Sequence, residues 1–250
     1  MLAMPRSARL ATWATSWLCG QATLEELVAR VQGDDEPHVV TGLPVGPGSG
    51  SLNNVLGSLR ADGAQAIRVA FPRPGDPQGL AGPPSLNVDA IDAGEAALCF
   101  GTSVALVPTV VTFGPPGDQG HQVSWTWHEA NPPPHGPTLA EADHALSAEL
   151  SAAGSTLAQL DVGAWQPAAA QLLNDLRSGQ SAEPLPRPFP PDAQALAARS
   201  MRVLAVVGLA LTSDGRSLTV ASAQARREAL LPLERAARHG LAAACNAVAE

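Results

Sequence analysis

Apolar residues recur at helical spacing at the start of the chain. Leu10, Trp13, Ala14, Trp17 and Leu18 fall at i, i+3, i+4, i+7 and i+8, and Gly20 ends the pattern. Thr23-Leu-Glu-Glu26 then has the form of a capping box, opening a helix with Leu24, Leu27, Val28 and Val31 on one face. His38–Gly42 reads as a short strand and residues 43–50 (LPVGPGSG) as a glycine-rich loop. Ser51 caps a helix with Leu52, Val55, Leu56 and Leu59 inward, and Ala66–Phe71 reads as a second strand. Strand, helix and strand in about thirty-five residues predict a βαβ unit with parallel strands.

Residues 72–86 (PRPGDPQGLAGPPSL) form a Pro/Gly-rich loop, too long for a mere connector. Three β segments follow at Ala96–Phe100, Val104–Phe113 and Gln122–Glu129, joined by Gly101-Thr102 and by GPPGDQG at 114–120, so two hairpins are expected. After the break NPPPHGP at 131–137, Thr138-Leu-Ala-Glu141 is a second capping box. It opens a helix striped by Leu139, Ala142, Leu146, Leu150, Ala153, Leu157 and Leu160. A further helix is predicted at Gln166–Arg177 and a Pro-rich linker at 178–191. Asp192 caps a helix to about Thr212, whose stretch Met201–Leu211 is apolar on nearly every side and is expected to be buried. The turn Ser213-Asp-Gly-Arg leads into Val220–Ala249, which Pro232 should kink or split. The fold class expected is α+β: a mixed sheet of about five strands, a βαβ start followed by two hairpins, and a mostly helical C-terminal half. The portions are 1–137 and 138–250, expected to pack as one body.

Charge narrows the partners. The net charge of −8 argues against duplex nucleic acid, whose binders replace counterions with cations along the phosphates. All fifteen basic residues are arginine. Up to residue 184 seven arginines face eighteen acids, whereas from residue 185 onward eight face five. The basic C-terminal end either packs near the acidic body, or is solvated, or meets an anionic partner. Cys19, Cys99 and Cys245 form no CxxC pair and suit free thiols in a reducing compartment, so a cytoplasmic location is expected. The segment after Arg6 and Arg9 carries Thr12, Thr15 and Ser16 and no small-residue cleavage pattern. The run Val203–Leu211 is shorter than the roughly 20 residues of a membrane span, so no membrane partner is expected.

Chemistry is sparse. Were the first two strands parallel, the loops at 43–51 and 72–86 would leave their carboxyl ends, where ligands bind in open α/β sheets. Ser49, Ser51, Arg73 and Asp76 are therefore the candidate ligand-binding residues, for a small anionic molecule held by backbone N–H groups and a guanidinium. No GK[ST] and no G-x-G-x-x-G accompany the glycines, and no cofactor is expected. His121, His128 and His135 recur every seven residues, but strand alternation puts His121 and His128 on opposite faces, which disfavours a metal site. No G-x-S-x-G is present, and no catalytic residue is assigned.

Four segments, ATWATSWLCG at 11–20, PRPGDPQGL at 72–80, SVALVPTVV at 103–111 and the ending AACNAVAE, resemble a family of uncharacterised proteins from GC-rich, actinobacterial-type genomes. The resemblance spans the whole chain and implies no activity, cofactor or catalytic residue. The leading expectation is a non-enzymatic intracellular protein that works by binding, either as a homo-oligomer through surplus apolar surface on its C-terminal helices or as an adaptor. The alternative is a small-molecule enzyme or sensor using the loops 43–51 and 72–86.

Overall fold

In the computed structural model, which describes residues 2–115, 117–131, 136–159, 183–212 and 220–247, helix α1 (Arg6–Leu18) forms on the tryptophan stripe. It buries Leu10, Trp13, Ala14 and Trp17, and also Ser7, Thr12, Thr15 and Ser16, so it is covered on most sides. Helix α2 (Leu24–Gln32) starts where expected, the Thr23 hydroxyl accepting from the Glu26 amide at 3.1 Å. The chain divides into two compact units. The sheet unit holds Pro5–Gly136 with Leu185–Pro190, and the helical unit holds Pro137–Pro184 and Pro191–Ala247 with Met1–Met4.

The sheet is mixed, as expected, but has six strands: β1 (Val39–Thr41), β2 (Ser49–Ser51), β3 (Ala66–Ala70), β4 (Ala96–Phe100), β5 (Val104–Phe113) and β6 (Gly120–Glu129). Their order is β2-β1-β6-β5-β4-β3. The two predicted hairpins are present as the antiparallel pairs β4–β5 and β5–β6. The strand–helix–strand start is present but begins from β2, which runs in the same direction as β3, rather than from the predicted strand at His38–Gly42. β1 turns back through the glycine loop into β2, and only then does α3 (Leu52–Ala61) begin. The strand that feeds α3 is therefore β2, and α3 carries the chain from one edge of the sheet to β3 at the other. β1 instead pairs in parallel with β6, its register running from Val39↔Ser124 to Thr41↔Thr126. Counting directions across the sheet, β1 and β3 run opposite ways.

Two layers cover the sheet. Ala70, Ala96, Leu98, Ala105 and Val107 share a face and pack with Leu80, Leu86 and Ala90. The last two belong to α4 (Pro84–Ala93), a helix that replaces the end of the predicted loop. Pro83 and Pro84 read as loop but fit a helix start, because the first-turn amides have no intrahelical partner to lose. Gly94 ends α4 in the left-handed region at φ 74°, and a side chain there would meet the Arg73 guanidinium. On the other face α1 packs over β3, β4 and β5. Beyond Leu106 β5 has no β4 partner, and the β5–β6 hairpin runs outward with Val110, Val111 and Phe113 exposed.

In the helical unit, the second capping box is complete: the Thr138 amide donates to Glu141 Oε2 at 2.9 Å, and the Glu141 amide to Thr138 Oγ1 at 3.3 Å. Helix α5 (Leu139–Gln159) packs with α6 (Pro191–Thr212) and α7 (Val220–Asn246). Gly240 sits at their crossing, where a Cβ would lie 2.5 Å from Ser200 Oγ and 3.8 Å from Leu146 Cδ2. α7 runs through Pro232 as one element rather than splitting, since a proline removes one helical hydrogen bond and the flanking turns are held by packing. The predicted helix at Gln166–Arg177 and the turn at Ser213 lie outside the described residues.

The outer edge of β3 is protected by one side chain. Buried Thr15 on α1 donates from Oγ1 to the Ile67 carbonyl at 3.0 Å and accepts from the Ile67 amide at 2.9 Å. A hydroxyl thus stands in for a missing neighbouring strand. Thr15→Val keeps the shape and orphans both backbone groups. It is expected to lower unfolding free energy by about 2–4 kcal/mol, read as a reduced denaturant midpoint with unchanged slope.

Candidate functional site

The four ligand-binding candidates fall into two separated pairs. Ser49 lies on β2, and Ser51 caps α3 by accepting from the Asn54 amide at 3.4 Å. Arg73 and Asp76 close a tight turn around Pro74-Gly75, their backbones exchanging hydrogen bonds of 2.9 and 2.8 Å. Gly75 at φ 78° gives this turn its type II geometry. The first pair sits on one edge strand and the second follows the other edge strand. Five inter-strand steps separate them, roughly 24 Å across the sheet. Arg73 is also committed, its Nη1 donating to the Gly94 carbonyl at 3.1 Å and so closing the C-terminus of α4. The loops 43–51 and 72–86 therefore do not form one site, because the unforeseen β1–β2 hairpin reversed the chain between them.

The polar centre of the sheet unit lies elsewhere, at the N-terminus of α1. Pro5 in the cap position offers no side-chain acceptor. Glu95, just before β4, supplies it, with Oε2 accepting from the Ser7 amide at 2.7 Å. Arg6 grips buried Asp35 with both arms of its fork, Nε at 2.8 Å and Nη2 at 2.7 Å. Asp35 Oδ2 lies 3.5 Å from His38 Nε2, a close contact without hydrogen-bond geometry, and His38 Nδ1 accepts from Trp125 Nε1 at 3.2 Å. An indole N–H can only donate, so Nδ1 is bare and the neutral ring carries its proton on Nε2, toward Asp35. Burial depresses the His38 pKa, against the pull of Asp35, and a proton on Nδ1 would set two donors face to face. Burial alone would raise Asp35, but the Arg6 hydrogen bonds and charge carry it below the usual carboxylate value. Desolvation raises Glu95. This carboxylate–imidazole relay ends on an indole and ties the start of α1 to the segment entering β1 and to β6.

Remaining reactive groups are dispersed. His121 bonds Thr112 at 3.1 Å on one face of β6, and His128 meets Asp89 of α4 at 3.2 Å on the other. His144 is exposed on α5, and His135 lies outside the described residues. Among the described residues no three of His, Cys, Asp and Glu come together as metal ligands would. Cys99 and Cys245 are buried thiols pushed up to about 12 by desolvation, and Cys19 is exposed. On α6 the stretch Met201–Leu211 departs from expectation. Met201 and Val207 are buried, whereas Val203, Leu204, Ala205, Val206, Leu209, Ala210 and Leu211 are only half-buried. Pro191–Leu211 contains an 18-residue window with a mean hydropathy of 1.4 and is long and apolar enough to cross a bilayer by length and composition alone.

Two family models cover nearly the whole chain. The Rv1486c-like protein N-terminal domain matches residues 7–139, and the Rv1486c-like protein C-terminal domain matches residues 140–242. They meet at the start of α5. No curated protein and no solved structure matches the chain.

The relay makes stability depend on pH. His38 has a folded pKa below its unfolded value near 6.5, so its contribution is complete above that pH and drains away as pH falls below it. His38→Gln offers an acceptor to Trp125 and a donor to Asp35 without titrating. Equilibrium unfolding from pH 7 to 5 is expected to show a falling free energy for the wild type and a flatter profile for the variant. Parallel profiles would contradict the assigned role of His38.

Proposed function

The chain belongs to the Rv1486c-like family, and from that premise we propose that it acts by binding rather than by catalysis, pairing with a second copy through its C-terminal helices. The observation that carries this reading is the half-buried apolar stretch of α6. Seven Val, Leu and Ala side chains between Val203 and Leu211 keep part of their surface in water. Apolar area left in water costs about 25 cal/mol per Å². A two-fold contact buries the same stripe on both partners. The charged residues near its start do not interfere, since Arg199 is held by Asp143 of α5 at 2.7 Å and Arg202 bonds the Ala198 carbonyl. Three free thiols support a reducing, cytoplasmic setting. A small anionic ligand is the second reading, favoured by arginines that bond no carboxylate.

Size-exclusion chromatography with light scattering on the full chain tests the pairing. A dimer is expected for the wild type, and Leu204→Glu should weaken it by roughly tenfold or more. A wild type that is monomeric at micromolar concentration, or that floats with lipid vesicles instead of dimerising, would overturn the proposal.

A further inference from the structure

Three arginines line the tryptophan stripe of α1. The Arg30 guanidinium carbon lies 5.3 Å from the centre of the Trp13 ring, and that of Arg60 lies 4.7 Å from Trp17. Arg30 stands in the last turn of α2 and Arg60 in the last turn of α3, where the helix dipole favours a cation. Arg9, one turn before Trp13 on the same helix, reaches the end of α2, its Nη1 only 2.7 Å from where a Cβ on Gly33 would stand. Its Nε is buried and has no hydrogen-bond partner.

Among the described residues no hydrogen bond or ion pair is made by the guanidinium group of any of the three. That is unusual in a chain with 23 acids to 15 arginines. Four other guanidinium groups are occupied, Arg6 by Asp35, Arg199 by Asp143, Arg238 by Glu234 and Arg73 by the Gly94 carbonyl, whereas Arg68 lies 4.5 Å from the centre of the Phe100 ring, away from the tryptophan stripe. The carboxylates nearest the row are spoken for: Asp35 is gripped by Arg6, and Glu95 accepts from Ser7. Stacking on an indole uses the face of a guanidinium and leaves its in-plane N–H donors, the fork that matches an oxyanion.

We propose that Arg9, Arg30 and Arg60, set along Trp13 and Trp17, form a binding site for a small molecule carrying linked phosphates. Trp13 and Trp17 are four residues apart, about 6 Å of rise along the helix, so the guanidinium groups set on them are neighbours on one face of α1. A single phosphate satisfies one fork. Two or three linked phosphoryl groups reach both, and the row offers donors and positive charge, with Asp35 and Glu95 close enough to Arg9 to feel its charge but already engaged by Arg6 and Ser7.

Calorimetric titration of the full chain at low ionic strength with tripolyphosphate, pyrophosphate and orthophosphate tests the site. The linked phosphates are expected to bind at least roughly tenfold more tightly than orthophosphate. Arg30→Gln and Arg60→Gln should each weaken tripolyphosphate by roughly tenfold, while Arg202→Gln on α6 leaves it unchanged. Arg60→Lys keeps the charge and a stem over the indole but loses the fork, so it should also weaken binding. It serves as the folded check, by thermal midpoint, if a glutamine variant is unstable. Equal affinity for the three phosphates, or unchanged affinity in the Arg30 and Arg60 variants, would overturn the site. Leu204→Glu should bind tripolyphosphate like the wild type, so failure of the helical pairing and failure of this site are told apart.

Discussion

The sheet unit is organised around the grip of Arg6 on Asp35. Burying a carboxylate is costly unless its charge and lone pairs are answered, and a bidentate guanidinium answers both. Everything attached to Asp35 is fixed by that requirement. It lies between α2 and β1, so anchoring it fixes where β1 enters the sheet. It also orients His38, which in turn takes the indole N–H of Trp125 on β6, the strand beside β1. The same first turn of α1 is held by Glu95 at the entry to β4. Three segments far apart in sequence converge on one helix start, and each contact is polar where the surroundings are apolar. Such contacts select one arrangement of elements, because a shifted register strands a charge away from water.

Much of the architecture was legible because local chemistry and global fold agree. Thr23 and Thr138 cap the helices their neighbours announce, and the β-branched runs at 66–70 and 104–113 became strands. What escaped were elements whose residues argue against themselves. Ser49-Gly50-Ser51 has no strand propensity, and becomes a strand only because β1 offers its edge. Pro83-Pro84 looks like the middle of a loop, yet α4 begins there. The first omission propagated. A sequence reading without β2 puts β1 directly before α3, makes β1 and β3 parallel, and places the loops behind them at one end of the sheet.

The polar centre could not have been read from sequence, because Arg6, Asp35, His38, Glu95 and Trp125 share no motif or spacing. Each is individually ordinary, and only the fold gives them a common neighbourhood. The same holds for the arginine row. The tryptophan stripe was visible at once, but the cations above it come from the ends of two other helices. In the helical unit the discrepancy ran the other way. The apolar stretch of α6 was plain in the sequence, and the structure leaves it half in water.

The parallel pairing of β1 with β6 has a consequence for how the chain is made. β1 is complete once Thr41 has been synthesised, but the strand that holds it in the sheet ends at Glu129. During translation the β1–β2 hairpin must therefore wait through some eighty residues of growth for the strand beside it. Pairings so distant in sequence close slowly and leave strand edges open meanwhile. A ribosome paused before residue 120 would present β1 and β2 with one side bare, which makes this interval the point in the protein's life at which a chaperone matters most.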